Sequence, residues 1–318
     1  MATQTETQTE TLTRPRTGAR RRAPRSGEDR WGILFTAPFF VLYILFLLWP
    51  VLAALRNSFY NDSLGGESSW AGFGNYSELI GDSNFWQSMW HTLWFTILTV
   101  PPLVVIALAL ALMVSRLGRG QWLYRIAFFA PFVLPVSVVV LVFNWLYQPS
   151  FGLINSYLTE LGLSEVNWLG DANVAMISAA IATVWWTVGF NFVLYLSALQ
   201  EIPRELYEAA AVDGATPWQQ IRRITIPMLV PTTMLVVVLQ IIASLKIFDQ
   251  VYLLQGGGPG PENSTRVAIQ YIYESGFTSY RVGYASALSF VFFLAVVLVS
   301  LLLFAALRRV GEAEGRPA

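Results

Sequence analysis

The sequence predicts an all-α membrane protein with six transmembrane helices, and three observations predict it. Of its 318 residues 55% are hydrophobic and only 13% charged, too apolar for an ordinary soluble domain. The apolar residues come in long blocks rather than at amphipathic spacing, and about 20 helical residues cover the hydrocarbon of a bilayer. Basic residues crowd into alternate connections between those blocks, as they do in chains that cross a membrane repeatedly.

The first 29 residues stand apart. "TQTETQTETLT" is low-complexity and polar and "RPRTGARRRAPR" is a basic run, so residues 1–29 read as a disordered basic leader. The stretch that follows is too long for a signal sequence and offers no clear cleavage site, so it reads as an uncleaved first span. The six spans run from about Trp31 to Leu55, Trp90 to Val114, Ile126 to Tyr147, Val174 to Leu199, Met228 to Phe248 and Gly283 to Leu307. They fill a six-helix transmembrane domain over 30–310, with a tail at 311–318. Lipid offers the backbone no partners, so each span must be helical. Kinks or local unwinding are expected at Pro101 and Pro102, at Pro131 and Pro135, and at Pro231.

Orientation follows from arginines. The leader holds Arg14, Arg16, Arg20, Arg21, Arg22, Arg25 and Arg30; one even connection holds Arg116, Arg119 and Arg125; the other holds Arg204, Arg222 and Arg223. The tail adds Arg308, Arg309 and Arg316, whereas residues 148–173 carry no basic residue. Both termini and the 200–227 loop are therefore expected on the cytoplasmic face of a bacterial cell membrane.

Several function classes drop out. The formal net charge is zero, which supports no nucleic-acid partner, and the absence of cysteine removes thiol catalysis and thiolate metal sites. One histidine, His91, builds no metal cluster and reads as structural. The one lysine, Lys246, is flanked by leucine and isoleucine, so a G-x-x-x-x-G-K-[ST] phosphate loop is impossible. "GGGPG" opens no helix that could cradle phosphates. No cofactor and no covalent chemistry are expected, and any ATP hydrolysis belongs to a partner.

The loop "ELYEAAAVDGATPWQQIRRITIP", residues 205–227, is polar although it lies between two apolar spans. Its start is a strong helix former, Asp213-Gly214 reads as a helix stop, and Thr216-Pro217 as the cap and first turn of a second helix. Pro227 is expected to close that helix before the fifth span. Leu206, Tyr207, Ala210 and Ile221 are its candidate apolar contacts. The residues alone fit either a bent peg for a partner's groove or a solvated interfacial loop.

Glu208-Ala209-Ala210, then Asp213-Gly214, Ile224 and Pro227 resemble, in type and spacing, the EAA motif of ABC importer permeases. "IFDQVYLLQGGGPG", "YIYESGF" and "GYASALS" resemble the carbohydrate branch, and "FGLINSYL" resembles the first permease of maltose-type systems. The resemblance covers nearly everything from Trp31 to Leu307. It implies a type I ABC importer permease fold whose 205–227 loop is a coupling helix. It also implies a second homologous permease subunit, an ATP-binding subunit dimer and an extracytoplasmic sugar-binding protein, besides membrane lipid. Ile226 stands where the family often has leucine.

Polar side chains inside spans tend to face a cavity or another helix. Thr183, Thr187, Asn191 and Tyr195 recur every fourth residue in the fourth span, with Trp186 and Phe190 beside them; Gln240, Ser244 and Phe248 repeat the spacing in the fifth. The set offers hydroxyls, amides and aromatic plates suited to a sugar, and equally suits helix-to-helix hydrogen bonds. In maltose-type relatives these two helices supply the ligand contacts, and Gln240 and Ser244 fall at equivalent-looking positions. The fourth-span ligand residues of those relatives are not reproduced. Lys246 and Asp249 are expected to pair. Residues 256–282 are expected along the outer surface, with Gln270 and Glu274 turned away from the apolar face of Val267, Ala268, Tyr271 and Ile272. Gly283 and Ala287 suit close helix packing. The functional expectation is a non-enzymatic subunit of an ATP-driven sugar importer. A secondary transporter driven by an ion gradient is the alternative, although neither internal repeats nor a buried titratable relay is visible.

Overall fold

Prolines decide where the helices of this chain break. The structure is a computed structural model that describes residues 28–63, 66, 68–118 and 120–313. The expected leader through residue 27, Arg119 and residues 314–318, Arg316 among them, lie outside the described residues. The chain divides into two units, Met1–Leu52 and Ala53–Ala318. In the first, helix α1 (Glu28–Tyr43) takes in the last two residues of the expected leader and runs through a π turn into α2 (Trp49–Asn57). Its side chains from Leu34 onward are almost all exposed apolar groups, Phe35 at 83% among them.

The second unit contains a two-residue hairpin, β1 (Tyr60–Asn61) against β2 (Ser69–Trp70), then α3 (Gly74–Gly81) and the 33-residue α4 (Ser83–Ser115). After it come α5 (Gln121–Val133), α6 (Val136–Leu146), α7 (Leu153–Glu160) and α8 (Ala175–Glu201). The polar loop forms α9 (Arg204–Val212), α10 (Pro217–Gln220) and α11 (Ile226–Met228), and α12 (Val230–Leu245) follows. The chain closes with α13 (Asp249–Leu254), α14 (Ala268–Tyr273) and α15 (Val282–Ala313). Among the described residues, four helices are long and apolar enough to cross a bilayer, and two bent pairs bring the spans to six if each pair is one span.

The bends follow from proline chemistry. α5 and α6 meet at 95°. Leu134 precedes Pro135 and is driven out of the helical region, to φ −68° and ψ 138°. The second bend, 60°, falls at Leu229, between Pro227 and Pro231, neither of which has an N–H to donate. Pro227 thus lies inside α11 instead of closing the preceding helix. α4 carries Pro101 and Pro102 without interruption.

α4 and α8 form the centre. Small Ala107 and Ala111 of α4 let Phe192, Tyr195 and Leu196 of α8 approach, with Leu229 and Val236 completing a buried layer. α5 crosses α8 so closely that a Cβ on Gly189 would lie 1.8 Å from the Phe128 carbonyl oxygen, which only glycine permits. A second layer joins Phe95 to Val139, Phe143, Tyr147 and Val251.

Residues 256–282 differ from expectation. Val267 and Ala268 are fully buried, the Ala268 N–H donates to Thr92 Oγ1 at 2.9 Å, and Gln270 is itself fully buried, its Nε2 donating to Glu274 Oε1 at 2.9 Å. The segment is packed into the end of the bundle, because α4 and α15 leave room there. The buried Ala287 and glycine at 283 do serve close packing, but Gly283 meets a strand: a Cβ there would lie 1.9 Å from the Tyr60 carbonyl oxygen. Lys246 and Asp249 form no ion pair, and both are exposed. α12 ends at Leu245, and Phe248 at φ −152° breaks the helical spacing that would have brought them together.

Polar staples close the same end of α4. Arg281 pairs with Glu78, Arg266 Nη2 donates to Asn84 Oδ1 at 2.6 Å, and the Tyr271 and Tyr284 hydroxyls both donate to Asp82 Oδ2 at 2.5 Å. Burial alone would raise the Asp82 carboxyl, but these hydroxyls and the N–H groups of Asn84 and Phe85 outweigh it and hold the group below its ordinary value of 3.8. Burial and the same contact push Tyr271 up to about 12. A depressed carboxyl contributes stability that is whole above pH 3.8 and is lost as pH falls through the lower folded value. Asp82→Asn is therefore expected to cost about 1–2 kcal/mol, allowing for partial exposure, evenly from pH 8 to about 5. Thermal melting of the purified protein checks this, the gap to wild type closing only in strong acid.

Candidate functional site

The polar loop folds into a knuckle by local rules. Three alanines carry α9 to its end, where Asp213, Gly214 and Ala215 donate their N–H groups to Ala209, Ala211 and Ala210 at 3.1, 3.0 and 2.9 Å. Gly214 takes φ +78°, and nothing lies within 4 Å of where a Cβ would be, so the turn needs glycine for its backbone alone. Thr216 then caps α10 with a capping box shared with Gln219, and Pro217 sits in the first turn. Tyr207 OH meets Thr225 Oγ1 at 2.9 Å, tying the two arms together.

Of the motif residues, Glu208, Ala209, Asp213, Gly214 and Pro227 are exposed and Ala210 and Ile224 half-buried. Tyr207, Ala210 and Ile221, expected as outward contacts, are turned partly onto the chain itself. Leu206 is exposed as expected, at 43%, and it is joined by Ile226 at 41%, Trp218 at 68% and Val212 at 89%. Sequence reasoning missed Val212 and Trp218. Val212 directly precedes the helix stop and Trp218 directly follows the helix start, and an apolar residue at such a place on a polar loop is the clue that was available.

Inside the bundle the expected polar set splits in two. Thr183 and Thr187 return their hydroxyls to the carbonyls of Ala179 and Thr183 at 2.8 and 2.7 Å. Asn191 Nδ2 donates to the Thr187 carbonyl, and its Oδ1 accepts from Gln240 Nε2 at 2.9 Å, which clips α12 to α8. Ser244 Oγ lies 3.2 Å from Thr99 Oγ1 and clips α12 to α4. Thr99 was missed, although Thr92, Thr96 and Thr99 follow helical spacing in the second span.

Trp186 and Phe190 face the α5–α6 bend instead. Trp186 Nε1 donates to the Leu134 carbonyl at 3.2 Å, satisfying a group that the break had freed, and Phe190 stacks on Phe132 with centroids 5.1 Å apart. Thr183 and Trp186 share a void of about 10 Å³ with Gln250, room for one water at most. Phe248 leaves the stripe and stacks on Tyr252 at 5.0 Å. His91 donates from Nδ1 to the Arg266 carbonyl at 3.1 Å, a structural contact, and no cluster suited to a metal occurs among the described residues.

The arrangement offers helices broken at midspan, polar clips between them, and an apolar-tipped knuckle joining α8 to α12. These are the parts of a multi-pass membrane transport component. The chain belongs to the family of binding-protein-dependent transport system inner membrane components, which matches residues 84–312. It is 34% identical over 269 residues to the sulfoquinovosyl glycerol transport system permease protein SmoG of Agrobacterium fabrum, covering 84% of this chain and 87% of that one. To the lactose transport system permease protein LacF of Rhizobium radiobacter it is 35% identical over 281 residues, 87% and 94% of the two chains. In the solved structure of a bacterial ABC transporter involved in alginate import, one chain superposes with a TM-score of 0.77 at 24% identity, over 89% of this chain and 97% of that one. The fold is that of a type I ABC importer permease.

The Asn191–Gln240 clip is testable as such. Asn191→Leu strands the Gln240 amide and is expected to cost about 1–3 kcal/mol, whereas Asn191→Leu with Gln240→Leu should regain most of it. Thermal melting of the two variants in detergent measures the difference.

Proposed function

We infer that the chain is one permease subunit of an ATP-driven, binding-protein-dependent sugar importer. It forms the translocation pathway with a second, homologous permease. A dimer of ATP-binding subunits docks on the knuckle, and an extracytoplasmic sugar-binding protein delivers the solute. Both termini and the knuckle face the cytoplasm, as the arginine distribution requires.

The observation that carries this reading is the knuckle itself. It projects Leu206, Val212 and Trp218 into solvent from a charged loop, beside Glu208 and Gly214, on a chain whose one lysine excludes a Walker phosphate loop. An apolar anchor ringed by charge is what a groove on a separate motor would engage. Closure of the ATPases would draw the knuckle and, through α8 and α12, turn a cavity shared by the two permeases from one face to the other. Thr183, Thr187, Asn191, Gln240 and Ser244 would supply hydrogen-bonding groups toward that pathway, and Trp186 and Phe190 apolar plates. Most of their donors already serve the bundle, so solute contact would use their remaining lone pairs or require clips to open.

A carbohydrate or glycoside cargo is supported by relatives named for sulfoquinovosyl glycerol, lactose and trehalose/maltose.

In the assembled transporter, Glu208→Lys, Gly214→Asp and Trp218→Asp are each expected to cut solute uptake at least about tenfold while leaving the chain in the membrane. Uptake assays paired with immunoblots of membranes decide it, and wild-type uptake by these variants would remove the coupling assignment. Uptake that survived ATP depletion but not collapse of the proton gradient would favour the secondary transporter.

A further inference from the structure

Behind the knuckle lies an open cleft of about 710 Å³, between the end of α4, the start of α5, the end of α8 and α9–α10. Its polar lining includes Arg116, Arg204, Gln121, Gln200 and Gln220, and no carboxylate lines it. Neither Arg116 nor Arg204 has an ion pair or a side-chain hydrogen bond among the described residues. Two helices also begin at the cleft without a side-chain cap: α5 after Gly120 and the nine-residue α9 after Pro203, their first residues, Gln121 and Arg204, both lining it. The N–H groups at those starts stand against the carbonyl ends of α4 and α8 at the same cleft, and α9 carries Glu205 in its first turn, so the two guanidiniums supply the positive charge of its lining. Two unpaired guanidiniums and neutral amide donors, with no carboxylate facing them, together describe a place for an oxyanion.

We propose that this cleft binds a phosphate group, carried by an anionic lipid headgroup or by soluble phosphate. Bound there, it bridges Arg116 at the end of α4 to Arg204 at the start of α9 and stiffens the base of the knuckle. The site goes beyond the transport reading and does not depend on which solute is carried.

The test uses the full-length chain in zwitterionic detergent, with native mass spectrometry counting adducts of phosphatidylglycerol, phosphatidylcholine or inorganic phosphate. Wild type is expected to retain phosphatidylglycerol over phosphatidylcholine. R116Q/R204Q should bind it about thirtyfold more weakly, on the scale of two lost basic contacts to an anionic headgroup. R222Q/R223Q, which removes the same charge outside the cleft, should bind like wild type. Inorganic phosphate bound with the same arginine dependence, and no lipid preference, would place soluble phosphate in the site and still support it. Should R116Q/R204Q not fold, protection of Arg116 and Arg204 from phenylglyoxal by either phosphate species, mapped by peptide mass, gives the answer on wild type. Equal lipid binding by all variants, no phosphate species bound, or no protection would overturn the proposal and leave the cleft to an acidic segment of a partner subunit.

Discussion

A bilayer gives the backbone nothing to hydrogen-bond with, and most of this structure answers that constraint. Where the chain stays helical the constraint is met locally. Where proline prevents it, another side chain must reach in. Leu134 leaves the helical region before Pro135, and the indole of Trp186 donates to its carbonyl from the neighbouring helix. The break therefore survives at a bundle-facing position, and it draws α8 toward the α5–α6 bend. Gly189 completes the approach by letting the two backbones nearly touch.

The same economy of polar groups links the knuckle to the bundle. α9 begins three residues after α8 ends, and α11 leads into α12 through the bend at Leu229. α12 is held to α8 by Gln240 and Asn191 and to α4 by Ser244 and Thr99. A push on the knuckle thus reaches both sides of the buried Ala107–Phe192 layer. The opposite end of α4, about 50 Å away by helical rise, is pinned by Asp82, Glu78 and Arg266. Helix α4 is thus pinned at one end, and its clip to α12 and its packing on α8 lie along its length.

Local chemistry was legible in the sequence, and facing was not. The stop at Gly214 and the cap at Thr216 depend only on adjacent residues, and both stand as read. The span count also followed from composition. Which prolines break a helix did not, because Pro101–Pro102 and Pro131–Pro135 differ in what surrounds them rather than in kind. The burial of Gln270 and the separation of Lys246 from Asp249 depend on where α4 and α15 leave space and where α12 stops. Tyr207 and Ile221 read as outward contacts for the same reason: periodicity reveals an apolar face without saying which way it turns.

The central claim is that this chain moves solute only when a separate ATPase loads its knuckle. Reconstitution into liposomes with a radiolabelled sugar outside tests it most directly, first with the chain alone and then with its partner permease, ATPase subunits and binding protein. The account requires no vectorial uptake by the chain alone and ATP-dependent uptake by the assembly. Sustained uptake by the solitary chain would contradict it.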